Sequence, residues 1–346
     1  MFNLQRQKFI LDYYSYKLKN RILTKIIERT NGFQKADDLV VFNHPSGFNF
    51  SGQVVFDFSN PKIIHLGDQL FYQPIIEYLS KKFRVIVLTY PAMKDYFSTL
   101  GYLTLSPQEI DKKKVRGSVL ISNEDFLGQM KKNFSLQNIF IGINYASPQK
   151  PKKVVELVFN SILKVLKKTE IINLMEELAM GIKYLPMISP QLLENFPNNP
   201  HLNFFLKNPD KKFILFNNYV FSNFLGVSRK RKRILENLAY QKKKQGYLII
   251  HTGSRNDKEG DKKRYGFVDY DLRGKINPID LFKILSLKNV KGVISFDTFV
   301  LHAASLLNKQ LYIVLKGRGG KGKNEKIKKV FVPMASNYEK LLKFIY

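Results

Sequence analysis

Apolar residues are distributed along this chain in two ways: as short unbroken runs, and as longer stretches in which they return every third or fourth position. Unbroken runs flanked by polar residues predict buried strands, and the three-to-four spacing predicts helices with one apolar face. Val54–Phe58, Arg84–Thr89, Ser118–Ile121 and Ile139–Asn144 are strand candidates of the first half. Phe213–Phe216, Tyr247–His251, Phe267–Tyr270, Gly292–Phe296 and Leu311–Leu315 are those of the second. KIIHLGDQLFYQP (Lys62–Pro74) reads as strand, Gly-Asp turn and helix start, so that with Arg84–Thr89 it forms a βαβ unit. Gly67 suits the tight turn, and Asp68 falls at a strand's carboxyl end, where open α/β sheets hold ligands.

Helical periodicity marks Val154–Lys168, Pro278–Ser286, Val300–Leu307 and a closing segment, Tyr338–Ile345. Phe9, Ile10, Tyr13, Tyr14, Leu18, Ile22 and Ile26 stand at helical spacing among basic residues, which makes 4–30 an amphipathic basic helix. Such a helix either packs on its domain with a solvated Lys/Arg face or touches an anionic lipid surface. Strand and helix alternate throughout, so the fold class is α/β with parallel sheets. The Pro- and Asn-rich stretch Pro186–Pro200 and the shift in composition after it place a linker near 190–211. The chain thereby divides into domains of 1–200 and 201–346, each of ordinary size.

Charge adds a partner to this picture. Lys and Arg number 57 against 28 Asp and Glu, a formal net charge of +29. Part of this surplus could reflect the compositional bias of a Lys-, Asn- and Ile-rich source. Nucleic acid, an anionic membrane and phosphate-bearing small molecules would each answer the rest. The basic residues are scattered over both halves and form no recognisable binding motif, so a nucleic-acid partner is not expected. Without cysteine there is neither a disulfide framework nor a thiolate metal site. No apolar run approaches the roughly 20 residues of a spanning helix, and no signal-peptide pattern opens the chain. His44, His65, His201, His251 and His302 contain no i,i+4 pair, and no acidic cluster suggests magnesium, so neither metal nor cofactor is expected. P-loop and nucleophile-elbow patterns are also absent.

The chemistry concentrates in two segments. GVISFDTFVLHAASLLNKQLYIVL (Gly292–Leu315) reads as strand, turn, helix and strand, with Asp297 and Thr298 at the helix N-cap. The unpaired N–H groups and positive dipole end of such a helix attract phosphate. IIHLGDQLFYQPII resembles the N-terminal motif of the heptosyltransferase-like bacterial glycosyltransferases of family 9. DLRGKINPIDLFKIL followed by GVISFDTFVLHAASLLNKQLYIV is similar to that family's C-terminal signature, a Leu-x-Gly-[KR] stretch, a helix, and Asp-[ST]-Gly-x-x-His-x-Ala-[AS].

The resemblance implies a GT-B fold, with two Rossmann-like domains facing across a cleft. It also implies an inverting, metal-independent transfer from a nucleotide-diphosphate sugar to a surface glycan such as lipopolysaccharide. Asp68 matches the general base, with Gly67 and Gln69 beside it on the acceptor side. Asp297, Thr298, Phe299 and His302 match donor-binding positions, His302 being equally readable as a core histidine. Phe299 stands where the family has Gly. Gly253, Ser254 and Arg255 of HTGSR match the loop near the nucleoside, with Arg255 in place of the family's Glu. Among the basic residues Arg229–Arg233, Lys230 is the expected phosphate contact. The run Lys316–Lys329 reads as a solvated loop that could alternatively wrap a diphosphate. The expected partners are a nucleotide sugar, an anionic lipid-linked acceptor and, by peripheral contact, the inner face of the cytoplasmic membrane. A family member that binds nucleotide or glycan without transferring it would share these features.

Overall fold

The computed structural model describes residues 33–37, 40–60, 64–144, 154–173, 199–219, 229–296, 298–307, 309–313 and 342–344, with scattered positions between 7 and 29. The chain divides into two compact units, Leu11–Pro186 and Met187–Tyr346, the second joined by Met1–Ile10.

The N-terminal unit comprises β1 (Gln34–Asp37), β2 (Val40–Phe42), β3 (Gln53–Asp57), α1 (Leu66–Leu70), α2 (Gln73–Ser80), β4 (Arg84–Leu88), α3 (Pro91–Thr99), β5 (Leu103–Leu105), β6 (Val119–Asn123), α4 (Leu127–Asn133), β7 (Ile139–Ile143) and α5 (Val154–Lys168). Its seven strands lie in the order β1-β2-β7-β6-β3-β4-β5. All neighbours from β7 to β5 are parallel, and β2 pairs antiparallel with both β1 and β7. Val54, Val55 and Phe56 are buried without alternation, as expected where helices cover both faces of a parallel sheet. Each such side chain contributes about 1.5–3 kcal/mol.

The expected βαβ unit is present, with β3 as its first strand. β3 pairs directly with β4, from Gln53 opposite Arg84 to Asp57 opposite Leu88. Ile64 and His65 belong to the connection that leads into α1, and residues 61–63 lie outside the described residues. Gly67 accordingly lies buried inside α1 instead of in a turn, and Asp68 occupies that helix's first turn instead of a strand end. Pro74 sits at the start of α2, where its missing N–H costs nothing and sets the direction of the new helix.

The C-terminal unit contains α6 (Leu202–Leu206), β8 (Lys212–Asn217), α7 (Arg229–Lys244), β9 (Tyr247–His251), α8 (Arg255–Gly260), β10 (Tyr270–Asp271), α9 (Pro278–Ser286), β11 (Val290–Ser295), α10 (Phe299–Leu306), β12 (Gln310–Ile313) and β13 (Leu342–Phe344). All six strands are parallel, in the order β10-β9-β8-β11-β12-β13. Leu235 and Ala239 of α7 pack with Ile214, Phe216, Ile249, Ile294 and Phe296 into one core. Within the closing helix expected at Tyr338–Ile345, Leu342–Phe344 is a strand beside β12, and 338–341 and 345 lie outside the described residues. The apolar residues Leu341, Leu342, Phe344 and Ile345 satisfy a helical spacing, yet the parallel edge of β12 gives Leu342–Phe344 backbone partners. The strand expected at Phe267–Tyr270 begins instead at Tyr270.

Candidate functional sites

In the N-terminal unit the chemistry gathers where β3 and β4 end. Gln69, Leu70, Tyr72, Ile75 and Ile76 are buried, which seats α1 and the start of α2 on the sheet and leaves Asp68 half-buried beside them. The Asp68 carboxylate accepts the His65 N–H at 2.9 Å, a bond from the carboxylate of the first turn to the residue preceding the helix. Two phenols stand close enough to feel its charge. Burial, and then the Asp68 charge, push Tyr72 and Tyr90 well above the usual phenol range, so both stay protonated. The Tyr90 hydroxyl donates to the Ile64 carbonyl at 3.4 Å, and the Tyr72 ring packs 5.0 Å from Phe58. Gln69 is wholly buried, with its Oε1 accepting the Thr89 hydroxyl at 2.8 Å. It therefore fixes α1 to the end of β4 and does not face solvent.

A second carboxylate, outside both sequence motifs, closes β3. Asp57 is buried and accepts the Ser59 N–H at 3.0 Å and the Ser59 hydroxyl at 2.6 Å. Burial outweighs these bonds and pushes it up to about 6. Its place as the last residue of an apolar run, before Phe58 and Ser59, was the available signal.

In the C-terminal unit the parallel register aligns three strand ends. Ser295 of β11 lies opposite Asn217 of β8, and Phe216 of β8 lies opposite His251 of β9. Asn217–Asn218, Thr252–Ser254 and the residues after Ser295 consequently share one edge of the sheet, the edge at which open α/β sheets bind ligands. His251 is buried against Phe216 and Tyr265, with ring centroids 5.0 and 5.6 Å away, and its Nε2 lies 3.1 Å from Asn218 Oδ1. Burial, then the Arg273 charge, lower it to about 3, so the imidazole is neutral. Asn218 Nδ2 donates to the Tyr265 hydroxyl at 2.7 Å, and that hydroxyl donates onward to Asp261 at 2.8 Å. Arg273 holds Asp271 through Nε at 3.0 Å and Nη2 at 2.8 Å. The Asn-Asn pair after the apolar run Phe213–Phe216 was the sequence signal for this network.

The two sequence motifs of this unit are laced together by their backbones. Leu272 N–H donates to the His251 carbonyl at 2.8 Å, and Gly274 N–H to the Gly253 carbonyl at 2.9 Å. Gly274 adopts φ +69°, and a Cβ there would lie 3.1 Å from Arg255 Cα. At Gly253 a Cβ would come within 2.8 Å of Asp257 Oδ2. Both glycines are therefore required by geometry. Ser254 caps α8, its hydroxyl accepting Asp257 N–H at 3.2 Å. Arg255 is exposed and pairs with Glu259 at 3.0 Å.

Thr298 is the N-cap of α10, but its hydroxyl lies 2.8 Å from Ser295 Oγ and makes no side-chain cap bond. By helix geometry the first N–H groups of α10 have no acceptor within the helix. Phe299 packs edge-on against Phe282 of α9 with centroids 6.1 Å apart. His302 is buried in α10. Lys230 lies in the first turn of α7, its side chain outside the described residues, while Lys232 of the same turn pairs with Asp261 at 3.0 Å. Asp297 and Lys316–Lys329 lie outside the described residues. Among the described residues no group of three or more His, Cys, Asp or Glu could hold a metal ion.

No protein-family profile and no curated protein matches the sequence. Solved structures do. The Escherichia coli ADP-heptose lipopolysaccharide heptosyltransferase II is 12% identical, with a TM-score of 0.53 over 85% of this chain and 90% of its own. The chain has the fold of heptosyltransferase II. A glycosyl transferase family 9 protein of Veillonella parvula is 11% identical over 84% and 88%, with a TM-score of 0.49. An E. coli heptosyltransferase solved with ADP-2-deoxy-2-fluoro heptose is 10% identical over 81% and 92%, with a TM-score of 0.45. The α/β architecture, with a mostly parallel sheet in the N-terminal unit and a parallel one in the C-terminal unit, is thus shared with heptosyltransferase II.

Proposed function

We propose that this chain is an inverting, metal-independent glycosyltransferase of the heptosyltransferase type, taking a heptose or hexose-like sugar from a nucleotide diphosphate. The observation that carries the reading is the setting of Asp68: a half-buried carboxylate on a helix anchored by buried neighbours, beside two phenols that stay protonated. In the reaction Asp68 takes the proton of an acceptor hydroxyl as that oxygen forms its bond to the anomeric carbon. The bond from that carbon to the diphosphate oxygen breaks with inversion, and the nucleotide diphosphate leaves with the electron pair. The charge that develops on the leaving group is met by the N–H groups opening α10 and by the basic first turn of α7. The 251–255 loop, laced to Leu272–Gly274, forms the floor for the nucleoside, and exposed Arg255 makes a base other than adenine as acceptable as ADP.

The acceptor in this reading is an anionic lipid-linked glycan, such as a lipopolysaccharide precursor, met at the inner face of the cytoplasmic membrane. The net charge of +29 supports it, because a basic surface concentrates phosphate-bearing substrates and faces an acidic bilayer. No described helix is long and apolar enough to cross a membrane.

The test follows nucleotide release from a panel of nucleotide sugars supplied with lipid-linked glycan extract. The wild-type chain releases nucleotide from one donor, and Asp68→Asn lowers that rate by about 10²–10⁴-fold with donor binding retained. Donor binding without release in the wild type sinks the transferase reading in favour of a non-catalytic binder.

A further inference from the structure

We propose that Lys291 and Lys309, where β11 and β12 begin, form a site for an acyl phosphate, with Lys309 as the amine that accepts the acyl group and Lys291 holding the phosphate. The parallel register sets Gly292 opposite Gln310, so the residues before them, Lys291 and Lys309, stand side by side. Like charges at neighbouring ladder positions repel. Both side chains reach the exit of α9. Lys309 Nζ donates to the Leu287 carbonyl at 2.9 Å, and Lys291 Nζ donates to the Lys288 carbonyl at 2.8 Å. Lys309 is half-buried, whereas Lys288 and Lys291 are exposed.

Carbonyls at a helix C-terminus are ordinary anchors for a lysine, but they do not neutralise two of them. Among the described residues neither Lys291 nor Lys309 has an acidic partner. The charged residues around the pair are basic as well: Lys283 is in the last turn of α9 and Lys288 follows it, while Asp280 lies in that helix's first turn. β11 carries only Lys291, β12 no charged residue, β13 Lys343, and α10 His302 as its sole titratable group. Burial, and then the Lys291 charge, lower Lys309 to about 8. At pH 8 about half of this amine is therefore neutral, against about 0.4% of an ordinary lysine. Burial and a neighbouring cation are the conditions that make lysine a nucleophile. The neutral amine keeps its bond to Leu287 through one N–H and has its lone pair free.

Charge selects the electrophile. An acyl phosphate carries its anionic group one bond from the carbonyl carbon, so Lys291 can hold the phosphate while Lys309 meets the acyl group. In an acyl thioester of a nucleotide carrier the phosphates stand far from the reacting carbon. The Lys309 nitrogen forms a bond to the acyl carbon and the bond from that carbon to the phosphate oxygen breaks. Phosphate leaves with the electron pair, and the proton lost from nitrogen goes to solvent. The product is a neutral amide, which ends the like-charge pairing. This end of the sheet is opposite the edge of Asn217 and Ser295, so the site is separate from the proposed transfer site and does not depend on it.

The full-length chain is incubated briefly with acetyl phosphate between pH 7 and pH 10, and acetylation of each lysine is measured by peptide mass spectrometry. At pH 7.5 Lys309 reacts about tenfold or more faster than exposed Lys207 and Lys211, and its rate levels off above about pH 9 while theirs keeps climbing. Lys309→Arg loses only this label. Lys291→Gln slows Lys309 by about threefold or more. Inorganic phosphate slows the reaction of Lys309 with acetyl phosphate, but not its reaction with uncharged N-hydroxysuccinimidyl acetate. A Lys309 rate no greater than those of Lys207 and Lys211 overturns the proposal. Fast labelling by both reagents without competition from phosphate also overturns it, leaving a reactive lysine with no acyl phosphate site.

Discussion

Asp57 and His251 are both buried, one in each unit, and they pull the pH dependence of stability in opposite directions. The Asp57 carboxyl binds its proton more tightly folded than unfolded, rising from 3.8 to about 6. Its contribution is therefore favourable below about pH 4 and is lost as pH rises through 6, at a cost of about 3 kcal/mol. His251 binds its proton more weakly folded than unfolded, falling from 6.5 to about 3. The unfolded chain protonates first as pH drops below 6.5, so stability is full above that value and declines toward pH 3. Between pH 4 and 6 the two slopes oppose. Asp57→Asn removes one of them: its thermal midpoint exceeds that of the wild type at pH 8 and falls more steeply from pH 6.5 to pH 4, as calorimetry across that range would record. An advantage for the variant that stays the same at every pH would refute the assignment.

Among elements, the legible ones were those whose local pattern had only one outlet. Val154–Lys168 and Pro278–Ser286 carry long apolar stripes, and both are helices with those bounds. KIIH satisfies a strand pattern because three apolar and aliphatic-stemmed residues stand in a row, whereas its described residues Ile64 and His65 belong to the connection into α1. RKRKR hides the periodicity of α7; among its described residues only Leu235 and Ala239 are fully buried. β1 and β2 are too short, and β1 too polar, to stand out. At the site, the motif residues Gly253 and Gly274 were visible as letters, but their mutual hydrogen bond depends on the β9–β10 pairing, which no local pattern encodes. Gly274→Ala forces a side chain into a left-handed conformation 3.1 Å from Arg255 Cα and costs about 1–3 kcal/mol. Under the proposed function, nucleotide titration of this variant shows weakened binding, while Gly266→Ala, at a glycine with open space around it, leaves affinity unchanged.

For the whole molecule, the alternation of strands and helices was enough to give two α/β units, because parallel sheets need crossovers and announce them in sequence. The division at 186/187 was less legible, since a Pro- and Asn-rich stretch marks a region and not a point. The charge was legible as a total and not as a surface. Lys232, Lys243 and Arg273 are engaged with Asp261, Asp269 and Asp271, so part of the basic surplus is structural. The remainder acts at long range. Raising ionic strength from about 0.01 M to about 0.1 M shortens the screening length from about 30 Å to about 10 Å. Under the proposed function, kcat/KM for an anionic acceptor drops by about tenfold or more over that range while kcat at saturation holds. Steady-state kinetics at several salt concentrations would expose the idea if kcat/KM stayed flat.

The lacing of 251–253 to 272–274 also bears on how such a protein could be re-engineered or could drift. Two stretches some twenty positions apart are joined as one frame, with Asp271 pinned by Arg273 next to the joint. A grafted loop from another transferase would arrive without its counterpart and lose the geometry that gives it meaning. Under the proposed function, recognition of the nucleoside is therefore inherited as a pair of segments, and a chimera that changes its base preference has to exchange both together.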